Sequence, residues 1–313
     1  MLSLIIPVYR NEANIPSLLP AVSHIRSQVD CDFEAVFVVD GSPDRSTDIL
    51  LNELPNQTFS SQLLILSRNF GSFSAIRAGL IAARGNYFAV MAADLQEPPS
   101  LVVDFYNSLK SDACDVVIGT RESREDHRLT QLSSSIFWAT YRRLIQKNMP
   151  KNGVDIFGCN LKFRDELVKL NEANSSLVGL VFWLGFRRKE IAYCRQKRVE
   201  GKSAWTMRKK LRYLSDSIFA FSDLPIQLLL LLGCVGVLLS VFVGTAVFFA
   251  KVFGLIAVPG YSATILVVVF FAGLNSLGLG LIGSYVWRAF ENTKHRPNSV
   301  VMFATNYEGV RDV

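Results

Sequence analysis

The segment LSLIIPVYRNEANIP, residues 2–16, decides the fold class. Its first seven residues form a near-continuous apolar run, the pattern of a strand buried on both faces. A helical pattern then opens near Asn14, with Pro16 in the first turn, where a missing N–H costs little. The same unit recurs downstream. Phe33–Val39, Leu63–Leu66, Tyr87–Ala92 and Asp115–Gly119 read as further buried strands, while helical patterns follow Ser46, cover Phe73–Ala83 and follow Pro99. This alternation predicts an α/β fold with a doubly wound, mostly parallel sheet. Ligands of such sheets bind beyond the carboxyl ends of the strands. Here those ends carry Pro7-Val-Tyr9, Asp40-Gly-Ser42, Ser67-Arg-Asn-Phe-Gly71, Asp94-Leu-Gln96 and Thr120-Arg121.

Beyond residue 200 the composition changes. The whole chain of 313 residues has a net charge of +6 and is 50% hydrophobic, with 19% charged residues. That balance excludes disorder and argues against a fully soluble enzyme. Leu224–Ala250 and Val252–Trp287 contain no charged residue, and each supplies the roughly 20 apolar residues that span a bilayer. Before them, residues 187–212 hold eleven Lys/Arg against Glu190 and Glu200, so this segment is +9 and the remainder −3. Such a block beside an apolar run reads as a contact with an anionic membrane surface. Nucleic acid is the rival partner, but no nucleic-acid-binding motif accompanies the block. The five cysteines are scattered, odd in number and not in metal-ligand spacing, as expected of free thiols in a reducing compartment. No charged leader region precedes the first strand, so no signal peptide is expected.

Two amphipathic stretches precede the apolar pair. Leu132–Gln146 fits either a membrane-interface helix or one packed on the sheet, whereas Trp205–Phe221 leads into the apolar run and favours the interface. The expected division is a cytoplasmic catalytic domain over 1–200 and a basic amphipathic juxtamembrane helix over 201–223. Two transmembrane helices follow within 224–290 (about 226–250 and 262–287), then a cytoplasmic tail over 291–313. Basic residues flank the outer ends of the hairpin, whereas its connection, with Pro259-Gly260, has only Lys251. Both termini therefore belong on the cytoplasmic side. Small residues at Gly236, Ser240 and Gly244, and at Ser276, Gly280 and Ser284, allow close helix contact within the hairpin or in a homo-oligomer.

Chemistry is sought at the strand ends. The chain has no G-x-x-x-x-G-K-[ST], and no G-x-G-x-x-G follows its first strand. An enzyme using nucleotide-diphosphate donors must then neutralise the diphosphate in another way, usually with a divalent metal held by carboxylates. Asp94 and Gln96, two apart after a buried strand, offer two oxygens to one hard cation. Alone, this signal is weak.

Six motifs occur in order: Pro7-Val-Tyr-Arg-Asn-Glu-Ala-Asn14, Val39-Asp-Gly-Ser-Pro-Asp-Arg-Ser46, Ser67-Arg-Asn-Phe-Gly71, Ala78-Gly-Leu80, Asp94-Leu-Gln-Glu-Pro-Pro99 and Gly119-Thr-Arg121. Together they resemble the family 2 glycosyltransferases of the polyprenyl-phosphate type, which have the Rossmann-like GT-A fold. Dolichyl-phosphate mannose synthases and bacterial undecaprenyl-phosphate glucosyltransferases belong to this group. Trp183-Leu-Gly-Phe186 and Arg198-Val-Glu-Gly-Lys-Ser203 extend the likeness, and the two-helix anchor resembles the bacterial branch.

The resemblance implies roles. Pro7, Tyr9, Glu12 and Asp40 match the nucleoside-binding positions, and Asp94 and Gln96 match ligands of Mg²⁺ or Mn²⁺ on the donor diphosphate. Arg121 matches a position near the acceptor phosphate, and Arg198 with Ser203 matches a second phosphate-binding element. Lys202 lies with them just before the interfacial helix, where a lipid phosphate would emerge, while Asp155 matches an acid proposed as base or is a helix cap. Two positions depart from the family pattern: Ala92 stands where the metal motif usually begins with Asp, and Val39 where a second Asp precedes Asp40.

The implied reaction is inverting transfer of a hexose, UDP-glucose being the favoured donor, to undecaprenyl or another polyprenyl phosphate in a bacterial inner membrane. The alternatives are another sugar (mannose, galactose, N-acetylhexosamine or an aminoarabinose type) and a non-catalytic membrane adaptor that binds nucleotide sugars. A processive polysaccharide synthase is disfavoured, because the chain has no Gln-x-x-Arg-Trp element.

Overall fold

The structure, a computed structural model, describes residues 1–121, 142, 150, 154, 156–172, 175–196, 207–253 and 261–310. Asp155, Arg198, Lys202, Ser203, Trp205, Pro259-Gly260 and Leu132–Gln146 apart from position 142 lie outside the described residues. The chain forms two compact units: residues 1–213 with 296–313, and residues 214–295.

The first unit opens with β1 (Leu2–Val8), α1 (Ile15–Gln28), β2 (Phe33–Val39), α2 (Ser46–Glu53), β3 (Ser60–Leu66), α3 (Ser72–Ala82) and β4 (Tyr87–Val90). It continues with α4 (Ser100–Lys110), β5 (Val116–Arg121), β6 (Phe157–Asn160), α5 (Leu161–Lys169), α6 (Leu177–Trp183) and β7 (Arg188–Tyr193). Every residue of β2 is buried, and β1 is buried except at Pro7, as expected of strands covered on both faces. Helix α1 turns Ile15, Leu18, Leu19, Val22 and Ile25 inward, an apolar stripe at helical spacing.

The strand order is β7-β5-β6-β4-β1-β2-β3, with β6 antiparallel to both neighbours and the other pairs parallel. The chain runs outward from β1 to β3, then returns to place β4 on the opposite flank of β1. The carboxyl ends of β1 and β4 therefore flank the point where the winding reverses, which is where open α/β sheets form their crevice. The doubly wound α/β fold with a GT-A-like mixed sheet is thus present.

A carboxylate at the opposite end of the sheet fixes the register of the outer strands. Asp115 accepts hydrogen bonds from Arg187 Nε (2.9 Å), Arg187 Nη2 (3.0 Å) and Asn160 Nδ2 (2.9 Å), joining the starts of β5 and β7 to the end of β6. The hydrogen bonds from Arg187, aided by Asn160, outweigh burial and hold the Asp115 carboxyl below its ordinary value. Its stabilising contribution is complete above the ordinary carboxylate range and is lost as pH falls through the lowered native value. Wild type should therefore melt several degrees above Asp115→Asn at pH 7. Melting curves taken towards pH 3 should show the gap closing; a gap independent of pH would contradict the ion-pair account.

Within the expected tail over 291–313, β8 (Val301–Tyr307) pairs antiparallel with β3 and becomes an edge of the same sheet. Val310 N donates to Gln57 O at 2.9 Å, and Arg84 Nη2 donates to Asn306 Oδ1 at 2.8 Å. The sheet unit thus holds the chain both before and after residues 214–295.

Helix α7 (Met207–Phe221) crosses the unit boundary, and α8 (Leu224–Val252) and α9 (Tyr261–Thr293) make up most of the second unit. Two spans, Leu224–Ala246 and Phe270–Thr293, are long and apolar enough to cross a membrane. Leu230, Leu238, Phe242, Phe270 and Leu279 lie exposed along them, as lipid-facing side chains would. Small residues meet large ones where the two helices touch: Gly236 faces the Phe271 ring and Gly278 faces Leu229. Within the same unit Arg288 pairs with Asp216 at 2.7 Å and covers the Phe219 ring at 4.7 Å.

Candidate functional site

The crevice is built from loops that leave the carboxyl ends of β1, β2, β3 and β4. Two of them are stitched together. Arg10 N donates to Ser42 Oγ (2.8 Å), Asn11 N to Ser46 Oγ (3.2 Å), Glu12 N to Asp44 Oδ2 (3.1 Å) and Arg45 N to Glu12 Oε2 (3.0 Å). Burial works against the charge of Asp44, but the hydroxyls of Ser42 and Ser46 and the N–H groups of Glu12 and Ser46 outweigh it. The carboxyl is held below its ordinary value. Pro7 and Tyr9 are half-buried and Glu12 is exposed, so all three present surface at the mouth of the crevice.

Asp40 lies one residue past β2 and is 2% exposed. Its two oxygens accept from Phe70 N (2.7 Å) and Gly71 N (2.8 Å), and its backbone oxygen accepts from Asn69 Nδ2 (3.3 Å). Burial pushes the Asp40 carboxyl above its ordinary value, against the downward pull of the two N–H groups and Arg68. Gly41, at φ +56°, lets the β2 and β3 loops close: a Cβ there would lie 2.4 Å from the Arg68 carbonyl carbon. Arg68 stacks over Phe70 at 4.0 Å, so the loop that Asp40 holds displays a cation on an aromatic ring.

The β4 strand was expected to reach Ala92 but ends at Val90, because the chain turns: Leu95 N donates to Ala92 O at 3.4 Å. Leu95 adopts φ +51° and Arg10 φ +56°, conformations that cost a side-chain-bearing residue about 1–2 kcal/mol each. Both strained residues sit in crevice loops, where such strain is commonly found at functional positions. The turn places Asp94 and Gln96 on one short segment, with Gln96 N donating to Asp94 Oδ1 at 3.4 Å. One carboxylate and one amide oxygen are hard donors that suit Mg²⁺ or Mn²⁺ in kind. They would leave the other positions of the ion to water and phosphate oxygens. Among the described residues no cluster of three or more His, Cys, Asp and Glu could hold a metal ion by itself.

Arg121 is the last residue of β5, 9% exposed and level with Tyr193 of β7. Just beyond Tyr193, Arg195 Nη2 donates to Gln96 Oε1 and Gln196 N donates to Gln96 O at 2.9 Å. The topology therefore gathers Asp94, Gln96, Arg121 and Arg195 at one end of the sheet. Arg195 was not singled out among the candidate site residues; its only sequence signal was membership of the basic segment. Within the described part of that segment, four basic side chains have partners in the sheet unit. Arg187 donates to Asp112 and Asp115, Arg188 to Phe182 O, Lys189 to Ser108 Oγ and Arg195 to Gln96 Oε1. A count of charges gives their sum and not their partners.

Residues 3–170 match the family described as glycosyl transferase family 2. A Bacillus subtilis glycosyltransferase, YkcC, is 31% identical over 99% of this chain and 95% of its own length. The bactoprenol glucosyl transferase of Shigella phage SfV is 27% identical over 96% of this chain and 97% of its own. Among solved structures, glucosyl-3-phosphoglycerate synthase from Mycobacterium tuberculosis, in complex with Mg²⁺ and uridine-diphosphate, superimposes with a TM-score of 0.50. It is 17% identical and covers 69% of this chain and 79% of that one. This likeness is one of fold.

Proposed function

This chain belongs to glycosyl transferase family 2 and is a glycosyltransferase, and on that premise we propose that it transfers a hexose from a nucleotide-diphosphate sugar to a polyprenyl phosphate. The best-supported donor is UDP-glucose and the best-supported acceptor is undecaprenyl phosphate. One observation carries the reading: a single chain joins a family 2 sheet unit to two helices of membrane-spanning length, then returns to the same sheet. A water-soluble donor and a lipid acceptor call for that combination. Relatives named bactoprenol glucosyl transferases, 25–27% identical over 96% of the chain, support sugar transfer to a lipid carrier.

In the proposed reaction an oxygen of the lipid phosphate attacks the anomeric carbon. The bond from that carbon to the donor's diphosphate oxygen breaks, and the nucleoside diphosphate leaves with the electron pair. Attack from the opposite face inverts the centre. A phosphate already ionised at neutral pH needs no base, which leaves Asp155 an optional one. The main barrier is repulsion between two anions. Arg121, Arg198, Lys202 and Ser203 are assigned to the acceptor phosphate, while Pro7, Tyr9 and Glu12 line the nucleoside side and Asp40 holds the loop beneath it. Asp94 and Gln96 would hold Mg²⁺ or Mn²⁺, which when bound supplies Lewis-acid charge to the diphosphate.

In the proposed orientation both ends of the hairpin lie on one side of the bilayer, a reading that the pairing of β8 with β3 supports. Basic flanks assign that side to the cytoplasm of a bacterial inner membrane. The test incubates purified full-length protein with labelled UDP-glucose and undecaprenyl phosphate. A lipid-extractable, mild-acid-labile glucolipid is the expected product. The same product from another donor would reassign the sugar, and no lipid-linked product from any nucleotide sugar would overturn the acceptor.

A further inference from the structure

We propose that Arg195 is a donor-binding and positioning residue whose guanidinium supplies fixed positive charge to the donor diphosphate, so that nucleotide binding persists without a divalent cation. This rests on the donor reading given above.

Strand β7 runs parallel to β5, and its exit carries Arg195 to the end of the sheet that holds Asp94. Two contacts fasten it there. The backbone bond from Gln196 N to Gln96 O (2.9 Å) fixes the position of the segment whatever side chain residue 195 bears. The bond from Arg195 Nη2 to Gln96 Oε1 then orients the guanidinium, since Gln96 is itself only 9% exposed. That bond uses one of five N–H donors. Arg195 is exposed, so an incoming anion reaches the guanidinium without opening the core.

Charge arithmetic gives the arrangement its meaning. Ala92 leaves the turn with Asp94 as its one carboxylate before Gln96. Glu97, which follows Gln96, is buried at 3% exposed, so Asp94 is the partly exposed carboxylate that the Arg195 guanidinium offsets. An aspartate at position 92 would add a second negative charge for a cation to bridge. A planar guanidinium also matches pairs of phosphate oxygens, which a lysine ammonium cannot do.

Calorimetric titration of full-length protein with UDP and with GDP, in excess EDTA and in saturating Mn²⁺, tests this without reference to turnover. Wild type should bind its nucleotide in both conditions. Arg195→Gln should weaken binding in EDTA by about 10- to 100-fold, the loss of one or two charge-assisted hydrogen bonds, and by less in Mn²⁺. Arg195→Lys should recover part of the loss, and Ala92→Asp should make binding strongly Mn²⁺-dependent. A purely structural role would weaken both conditions equally and lower the melting temperature, and that result overturns the proposal. Unchanged affinity of Arg195→Gln in EDTA, or wild-type binding only with Mn²⁺, also overturns it. The predicted pattern with GDP in place of UDP would reassign the nucleotide and leave the role of Arg195 standing. Binding of neither nucleotide in either condition would overturn the donor reading, and the proposal with it.

Discussion

Asp94→Ala should lower kcat/KM by about 100- to 1,000-fold, the scale seen when one preorganised electrostatic contact to a developing charge is removed. Asp94 carries the only carboxylate on the Ala92–Gln96 turn, so no neighbour within that turn can replace its charge. The side chain is partly exposed and lies on a loop, outside the strands and helices. Melting temperature and membrane insertion should therefore stay near wild type. The loss should fall on the metal-stimulated part of the rate, and Asp94→Asn, which keeps an oxygen but not the charge, should recover little of it. Turnover within a few-fold of wild type for Asp94→Ala would remove Asp94 from the diphosphate site. A large fall in melting temperature would instead make the residue structural.

Much of this site was legible because its residues lie at strand ends, and apolar runs such as Leu2–Val8 and Phe33–Val39 announce those ends locally. What was not legible depends on partners distant in the chain. Val301–Tyr307 follows an apolar hairpin, and nothing in its local sequence names β3 as its partner; the edge that β3 presents gives it a place. Arg195 is similar. Within a stretch of +9 every basic residue looks alike, and the register of β7 against β5 decides which one arrives at Gln96. The apolar run Tyr87–Ala92 extends two residues past β4 because Met91 and Ala92 suit a strand as well as a turn. The positive φ of Leu95 has no signature in a branched aliphatic side chain.

The second large effect concerns Asp40, whose carboxylate does in this structure what a helix N-cap does, at longer range. Two charge-assisted hydrogen bonds converge on it from Phe70 and Gly71, the residues that lead into α3. Asp40→Ala deletes both acceptors and leaves two N–H groups facing a small void, a cost of about 2–5 kcal/mol. In a unit of this size that lowers the melting temperature by roughly 5–15 °C. Asp40→Asn keeps one acceptor and should fall between alanine and wild type. Because burial raises the native Asp40 pKa, ionisation itself opposes folding. The wild-type advantage over Asp40→Ala should therefore grow as pH falls through the raised native value towards the ordinary carboxylate range, opposite to Asp115. Hydrogen exchange gives the local reading: the Phe70 and Gly71 amides should lose protection in Asp40→Ala while those of β1 keep theirs. Nucleotide affinity should fall in step, since the released loop carries the Arg68–Phe70 stack. If those two amides stay protected while nucleotide affinity falls, Asp40 contacts the nucleoside directly and its hold on the loop is incidental.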